Sequence, residues 1–436
     1  MSDFPGSGGN DFLSNMLADL LRLVPGGRGF QWQIAYQLAA SAAAGDVPDP
    51  NPDPRERIRL EELSSVAELH VADVTGMRPA PSGRAPHLVP TSRAEWARRT
   101  LDAWRPVLDR LSEVSSGTEE PPRTGESAPG EATALEQLGD EEGADRLAGL
   151  LGRWASAMTP VMVAMQVGSA AGHLASRALG LYEVPLAPAP GDEIFVVAAN
   201  LSRTAEDWSL PPDDLALWLC VHEMVYHAVL SRPHVAARLR ELVLAHARYV
   251  RPDPAAIERL FQGGDPTDVS AMLERFGDPS AMYAAGDSAE LERVRAELDA
   301  LAATIAGYGE HTTTVIANRL IGGHAPINEA MRRRRVGRGD GEKVAEQLFG
   351  LRLDQDQVDR GSHFVEGVLE RSGDLELARL WVDEASLPTP SEIDAPGLWL
   401  ARLELGSTEL PGAPPDQAGE GPDGDEGRSA PDGPSN

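Results

Sequence analysis

Apolar positions recur every three to four residues along most of this chain, the signature of helices that bury one face. Leu13, Met16, Leu17, Leu20, Leu21 and Val24 share one side of an amphipathic segment from Phe12 to Val24. The same spacing predicts helices from Gln31 to Ala44, Arg55 to Val74 and Thr91 to Leu111, the last with Ser92 as N-cap. It resumes from Leu147 to Leu179, where Gly168 and Gly172, one helical turn apart, allow a neighbouring helix to approach closely. The period then changes. YEVPLA and EIFVVAANL, between Tyr182 and Leu201, are short β-favouring runs separated by proline and glycine. Pro211, Pro212, Asp213 and Asp214 suit the first turn and dipole of a helix that runs to about Leu230 and stops before Pro233. Helical spacing continues from His234 to Val250, Pro254 to Phe261, Ala289 to Leu320, Ile327 to Arg335, Glu342 to Leu348, Gln357 to Ser372 and Asp374 to Val382. One last short helix ends near Leu403.

These elements predict a mainly α fold with a small β element ahead of one apolar helix. The order divides the chain into an N-terminal helical region at 1–114, an insertion at 115–133, a helical domain at 134–405 and a tail at 406–436. The insertion and the tail are acidic and poor in apolar residues, so both are expected to be disordered. With 436 residues, 42% of them hydrophobic, the chain can fill a sizeable core.

A formal charge of -29 argues against a nucleic-acid surface and against anionic membranes, both of which select for lysine and arginine. No run reaches the roughly 18 apolar residues of a membrane span, and the first residues lack a secretory pattern. Cys220 is the single cysteine, which excludes an intrachain disulfide and is compatible with a cytoplasmic location. It reads as a small buried hydrophobe rather than a nucleophile. A protein partner is expected on the amphipathic stripe from Phe12 to Val24.

The chemistry concentrates in Val221-His222-Glu223-Met224-Val225-Tyr226-His227. In the zinc-protease motif H-E-x-x-H, two histidines four apart face one metal while the glutamate beside the first activates water. Here tyrosine stands at 226. A helix advances about 100° per residue, so His222 and Tyr226 lie roughly 40° apart in projection while His227 lies roughly 140° away. His227 therefore does not replace the missing ligand on a regular helix. Three candidate ligands remain, His222, Tyr226 and, on a later helix, Glu310 with His311 beside it. Glu223 is the candidate catalytic base. Among the other candidates, His234 and His246 read as surface or packing histidines, His363 as a helix-packing one, and Arg332 to Arg335 as partners of the protein's own carboxylates.

Several distant segments together resemble an actinobacterial zincin-like family labelled zinc-dependent metalloprotease or hydrolase. They are EIFVVAANL, VHEMVYHAVLSRPHV, IAGYGEHTTTVIANRLI, EAMRRRRVGRG, QLFGLRLDQDQVDRGSHFVEGV and LPTPSEIDAPGLWLARL, and the resemblance spans about Arg93 to Leu403. It implies a zincin-like helical domain, zinc as cofactor and a peptide or protein substrate. Members with the full motif read H-E-x-x-H-H, so Tyr226 replaces the second ligand. They also carry glutamate where this chain has Ala306, and that glutamate is the implied third ligand. Two readings follow: a zinc-metallopeptidase-like hydrolase, or a catalytically silent member that acts as a helical binding or scaffold protein.

Overall fold

A computed structural model describes residues 30–44, 49–77, 84–115, 160–161, 163–184, 191, 193–252, 283–285, 288–337, 339–352 and 354–407. The amphipathic segment from Phe12 to Val24, the insertion at 116–133, the helix expected from Pro254 to Phe261 and the tail after 407 lie outside them.

Three helices form the N-terminal layer. The first, α1 (Trp32–Ala44), turns Ala35, Ala39 and Ala43 inward. In α2 (Pro54–Thr75), a capping box between Asp53 and Glu56 satisfies the first turn, and Gly76 ends the helix in the left-handed region at φ 65°. Strand β1 (His87–Thr91) leads into α3 (Arg93–Ser115), and Ser92 Oγ accepts the Glu95 N–H as the sequence predicts. A fourth helix, α4 over 163–177, packs on α1 through its glycines. A Cβ on Gly168 would stand 2.4 Å from Ala35 O, and one on Gly172 would stand 2.6 Å from Ala39 O. Only glycine allows that approach.

Strand β2 (Glu193–Val197) pairs in parallel with β1, in register from His87 opposite Glu193 to Thr91 opposite Val197. The sequence reading missed β1 because Pro90 sits mid-strand, a position that only an edge strand tolerates. Two further expectations are corrected. The described part of YEVPLA is a 3-10 turn (Leu181–Glu183), and the run VVAANL is strand only to Val197, because α5 (Ala198–Asp207) begins at Ala198. Asn200 on α5 fixes this corner: its Nδ2 donates to Ala175 O and Ala178 O, and its Oδ1 accepts from Arg93 Nε at 2.7 Å.

The centre of the molecule is α6 (Pro212–Leu230), buried along nearly its whole length. Around it lie α2, α7 (Pro233–Ala247) and the 32-residue α8 (Ala289–Leu320), which starts on a Ser288 cap. A short antiparallel ladder joins β3 (Val250–Pro252) to β4 (Tyr283–Ala285). Then follow α9 (Ala325–Val336), α10 (Asp340–Phe349) and α11 (Gln355–Ser372). Helices α8 and α11 touch backbone to backbone: a Cβ on Gly361 would lie 1.8 Å from Ala303 O.

The C-terminal layer departs from the sequence reading in two respects. Helical structure after Asp374 is α only to Leu377 (α12) and then 3-10 through Trp381, while the closing helix is split into α13 (Pro390–Ile393) and α14 (Pro396–Ser407). Pro396 imposes that break, since proline disfavours helix in the residue before it. Among the described residues, no helix is long and apolar enough to cross a membrane.

Candidate functional site

The loop at 179–183 is drawn onto the small sheet and so onto α6. Gly180 bridges Val196, the Val197 N–H donates to Leu179 O, and Trp96 Nε1 donates to Gly180 O at 2.8 Å. Held this way, the Tyr182 N–H donates to Glu223 Oε2 at 3.1 Å. Glu223 is 1% exposed, and its carboxylate lies where a Cβ on Gly180 would be, 2.2 Å from Cδ. Its other oxygen, Oε1, stands 3.3 Å from His222 Nδ1. A buried carboxylate needs such partners, since an orphan charge there is costly. Tyr182 also shares a 2.6 Å hydrogen bond with His227 Nδ1, which sends His227 into the core and away from His222. Burial, reinforced by the Glu223 charge, raises the Tyr182 pKa well above its ordinary value.

One face of α6 carries a ladder of rings at helical spacing. Trp218 stacks on His222 with centroids 5.1 Å apart, and His222 meets Tyr226 at 4.6 Å. Trp218 Nε1 is fixed by Asn328 Oδ1, and the Tyr226 ring fills the space over Gly309, where a Cβ would come within 2.4 Å of Cε2. Burial outweighs the nearby Arg335 charge and raises the Tyr226 pKa, so its phenol stays protonated.

A cavity of about 140 Å³ opens against this ladder, with Ala302, Ile305 and Ala306 of α8 facing it and Arg334 and Arg335 of α9 closing one side. Its charged lining, among the described residues, comprises Arg177, Arg334, Arg335 and Arg352 with Glu183, Glu223, Glu342 and Asp354. Arg177 and Arg334 form a reciprocal latch, each guanidinium donating to the other's backbone carbonyl, at 3.1 and 2.6 Å. Their acidic contacts are looser, Arg334 to Glu183 at 3.4 Å and Arg177 to Glu342 at 3.3 Å.

The candidate ligands are thus placed as follows. His222 and Tyr226 both line the cavity, and so does Ala306. Glu310 does not join them: it receives Arg335 at 2.7 Å and lines a separate surface pocket with Asn328 and Ser362. His311, one residue on, faces Glu366 and Asp374, and burial lowers its pKa. His246 lies at another cavity with its Nε2 toward Gln347 O, and His234 faces Asp383 and Glu384. Neither approaches His222. His363 is exposed, which corrects the packing role expected of it. The four arginines pair as the sequence suggests, with Asp359, Glu329, Glu183 and Glu310 in turn. Cys220 is fully buried, and burial raises its thiol pKa far above the reactive range.

A catalytic zinc takes three protein ligands and an open position. Among the described residues, no three histidine, cysteine, aspartate or glutamate side chains come together as a metal-holding group. Tyr226 offers a phenol in place of an imidazole, Ala306 offers no donor, and Glu310 is held by Arg335. The donor set therefore does not fit zinc. Sequence reasoning found His222 and Glu223 through their motif but missed Gly180, Tyr182, Arg177 and Trp218, whose roles depend on contacts between distant segments.

Comparison with known proteins agrees with this architecture. The profile described as zincin-like metallopeptidase matches residues 30–400. None of the curated proteins compared matches the chain. Among solved structures, a protein from Chloroflexus aurantiacus, described as a candidate hydrolase with a novel fold, shares 22% identity at a TM-score of 0.58. The alignment covers 86% of this chain and 99% of that one, and at this identity it speaks to the fold alone. With the matched span running from α1 into α14 and the H-E-x-x-Y segment at its centre, this chain belongs to the zincin-like metallopeptidase family.

Proposed function

We propose that this protein is a zincin-fold binding protein whose cleft has been retained without zinc-dependent peptide hydrolysis. The observation that carries this reading is the fate of the ligand positions. A half-buried phenol and an alanine share the cavity with His222, and the candidate carboxylate Glu310 lies outside it, committed to Arg335. Family membership makes a hydrolase-like cleft the starting point, and the pairing of Glu223 with a backbone N–H gives that residue a structural reason to persist.

The test is metal analysis of protein purified without chelator. Substoichiometric zinc, unchanged in His222→Ala, is expected, together with no peptide hydrolysis that Glu223→Gln diminishes. Stoichiometric zinc that His222→Ala removes would instead restore the alternative reading, in which His222 holds the metal and Glu223 activates water. Putting the missing donors back, with Tyr226→His and Ala306→Glu together, is expected to create zinc affinity that neither single change confers, because three ligands are needed. A double variant that still binds no zinc would show that the scaffold no longer presents these positions to one point.

A further inference from the structure

We propose that the cavity beside His222 is a site for a small zwitterion, a free amino acid with an apolar side chain. This deepens the binding reading by naming the ligand class. Three observations converge on it. First, among the described residues the four arginines and four carboxylates of the lining cancel, so the site favours a ligand with no net charge but with separated charges. A dianion such as phosphate would meet the carboxylates as well as the guanidiniums, and like charges at close range are repulsive.

Second, the charges are held in a way that leaves donors to spare. In the latch, Arg177 and Arg334 satisfy each other's backbone carbonyl, and their carboxylate contacts are the loose ones at 3.3 and 3.4 Å. Each guanidinium carries five N–H donors, so the latch leaves donors that fit the fork geometry of a carboxylate. An α-carboxylate can insert beside Arg334 while the ammonium takes Glu183, exchanging one ion pair for two without leaving a charge unpaired.

Third, the size and the remaining wall select the rest of the molecule. One water needs about 10–15 Å³ of such space, so a cavity of about 140 Å³ takes on the order of ten heavy atoms. That is one amino acid or the smallest dipeptide. Leu179, Leu219, Ile305, Met331 and Val358 supply an apolar floor for a side chain.

The probe is L-leucine, titrated into the full-length protein by calorimetry with a parallel thermal-shift assay. Saturable binding is expected, with leucinamide, which lacks the carboxylate, and N-acetyl-leucine, which lacks the ammonium, each at least about tenfold weaker. Ala306→Leu fills the cavity without touching an ion pair and is expected to abolish binding while the protein still unfolds cooperatively. Arg334→Gln, scored beside it, is expected to weaken L-leucine more than leucinamide. Absence of binding at about 10 mM L-leucine would overturn the proposal, as would equal affinity for either blocked analogue or full binding by Ala306→Leu. Zinc content measured on the same preparation separates the two readings. Zinc without leucine binding sinks this inference and the disarmed-site reading together, whereas leucine binding by zinc-free protein supports both.

Discussion

At the scale of single residues, Glu223 has a structural partner besides the motif it belongs to. Its carboxylate accepts the Tyr182 N–H in a site 1% exposed, so Glu223→Ala leaves that donor orphaned, at a cost of about 1–3 kcal/mol. Glu223→Gln keeps an acceptor and is expected to cost roughly half as much. Gly180→Ala sets a methyl 2.2 Å from Glu223 Cδ and is expected to destabilise by about 1–3 kcal/mol through overpacking. Urea unfolding of the three variants measures all of this, and a wild-type midpoint for Glu223→Ala would refute the structural role. His222 and Glu223 could be read from sequence because a motif places both on one helix. Their partner Tyr182 could not, because it lies 41 residues away and is delivered by a loop that pairs with β2.

At the scale of elements, helices were readable where a cap and a steady period coincide, and of the parallel pair of strands only β2 was. Helix α8 begins and ends where its pattern predicts, since Ser288 caps it and apolar residues recur for its whole length. Strand β1 was invisible because five residues with a proline at the fourth carry no period, and only pairing with β2 makes them a strand. Packing between elements leaves its own trace in the glycines. A Cβ on Gly361 would meet Ala303 O at 1.8 Å, and backbone cannot yield as a side chain can. Gly361→Ala is therefore expected to cost about 3 kcal/mol and lower Tm by several degrees. Gly322→Ala, with nothing within 4 Å of its Cβ, is expected to leave Tm almost unchanged and serves as the control. Equal melting temperatures for the two variants would show that α8 and α11 do not touch as described.

For the whole molecule, mainly helical architecture followed from periodicity, whereas the distribution of charge and pH response had to be seen in three dimensions. His246 fastens α7 to the end of α10 through Gln347 O. Burial pushes its pKa down to about 4, with the Gln347 hydrogen bond opposing and the Arg295 charge adding to the shift. In the unfolded chain it returns to about 6.5. Between those values the unfolded state binds a proton that the native state does not, so stability present above about pH 6.5 is lost as pH falls toward 4. The loss approaches about 3 kcal/mol, and His246→Leu is expected to flatten the decline in denaturation midpoint over that interval. Parallel pH profiles for wild type and variant would place the responsible group elsewhere.

The seat of Glu223 also bears on how the family's sequences are sorted. A carboxylate held by the Tyr182 amide and accommodated by the bare backbone of Gly180 has a part in folding that does not depend on the neighbouring metal ligands. Glutamate at this position is then expected from the architecture as well as from catalysis, so a census of peptidases keyed to it would count fold and activity together.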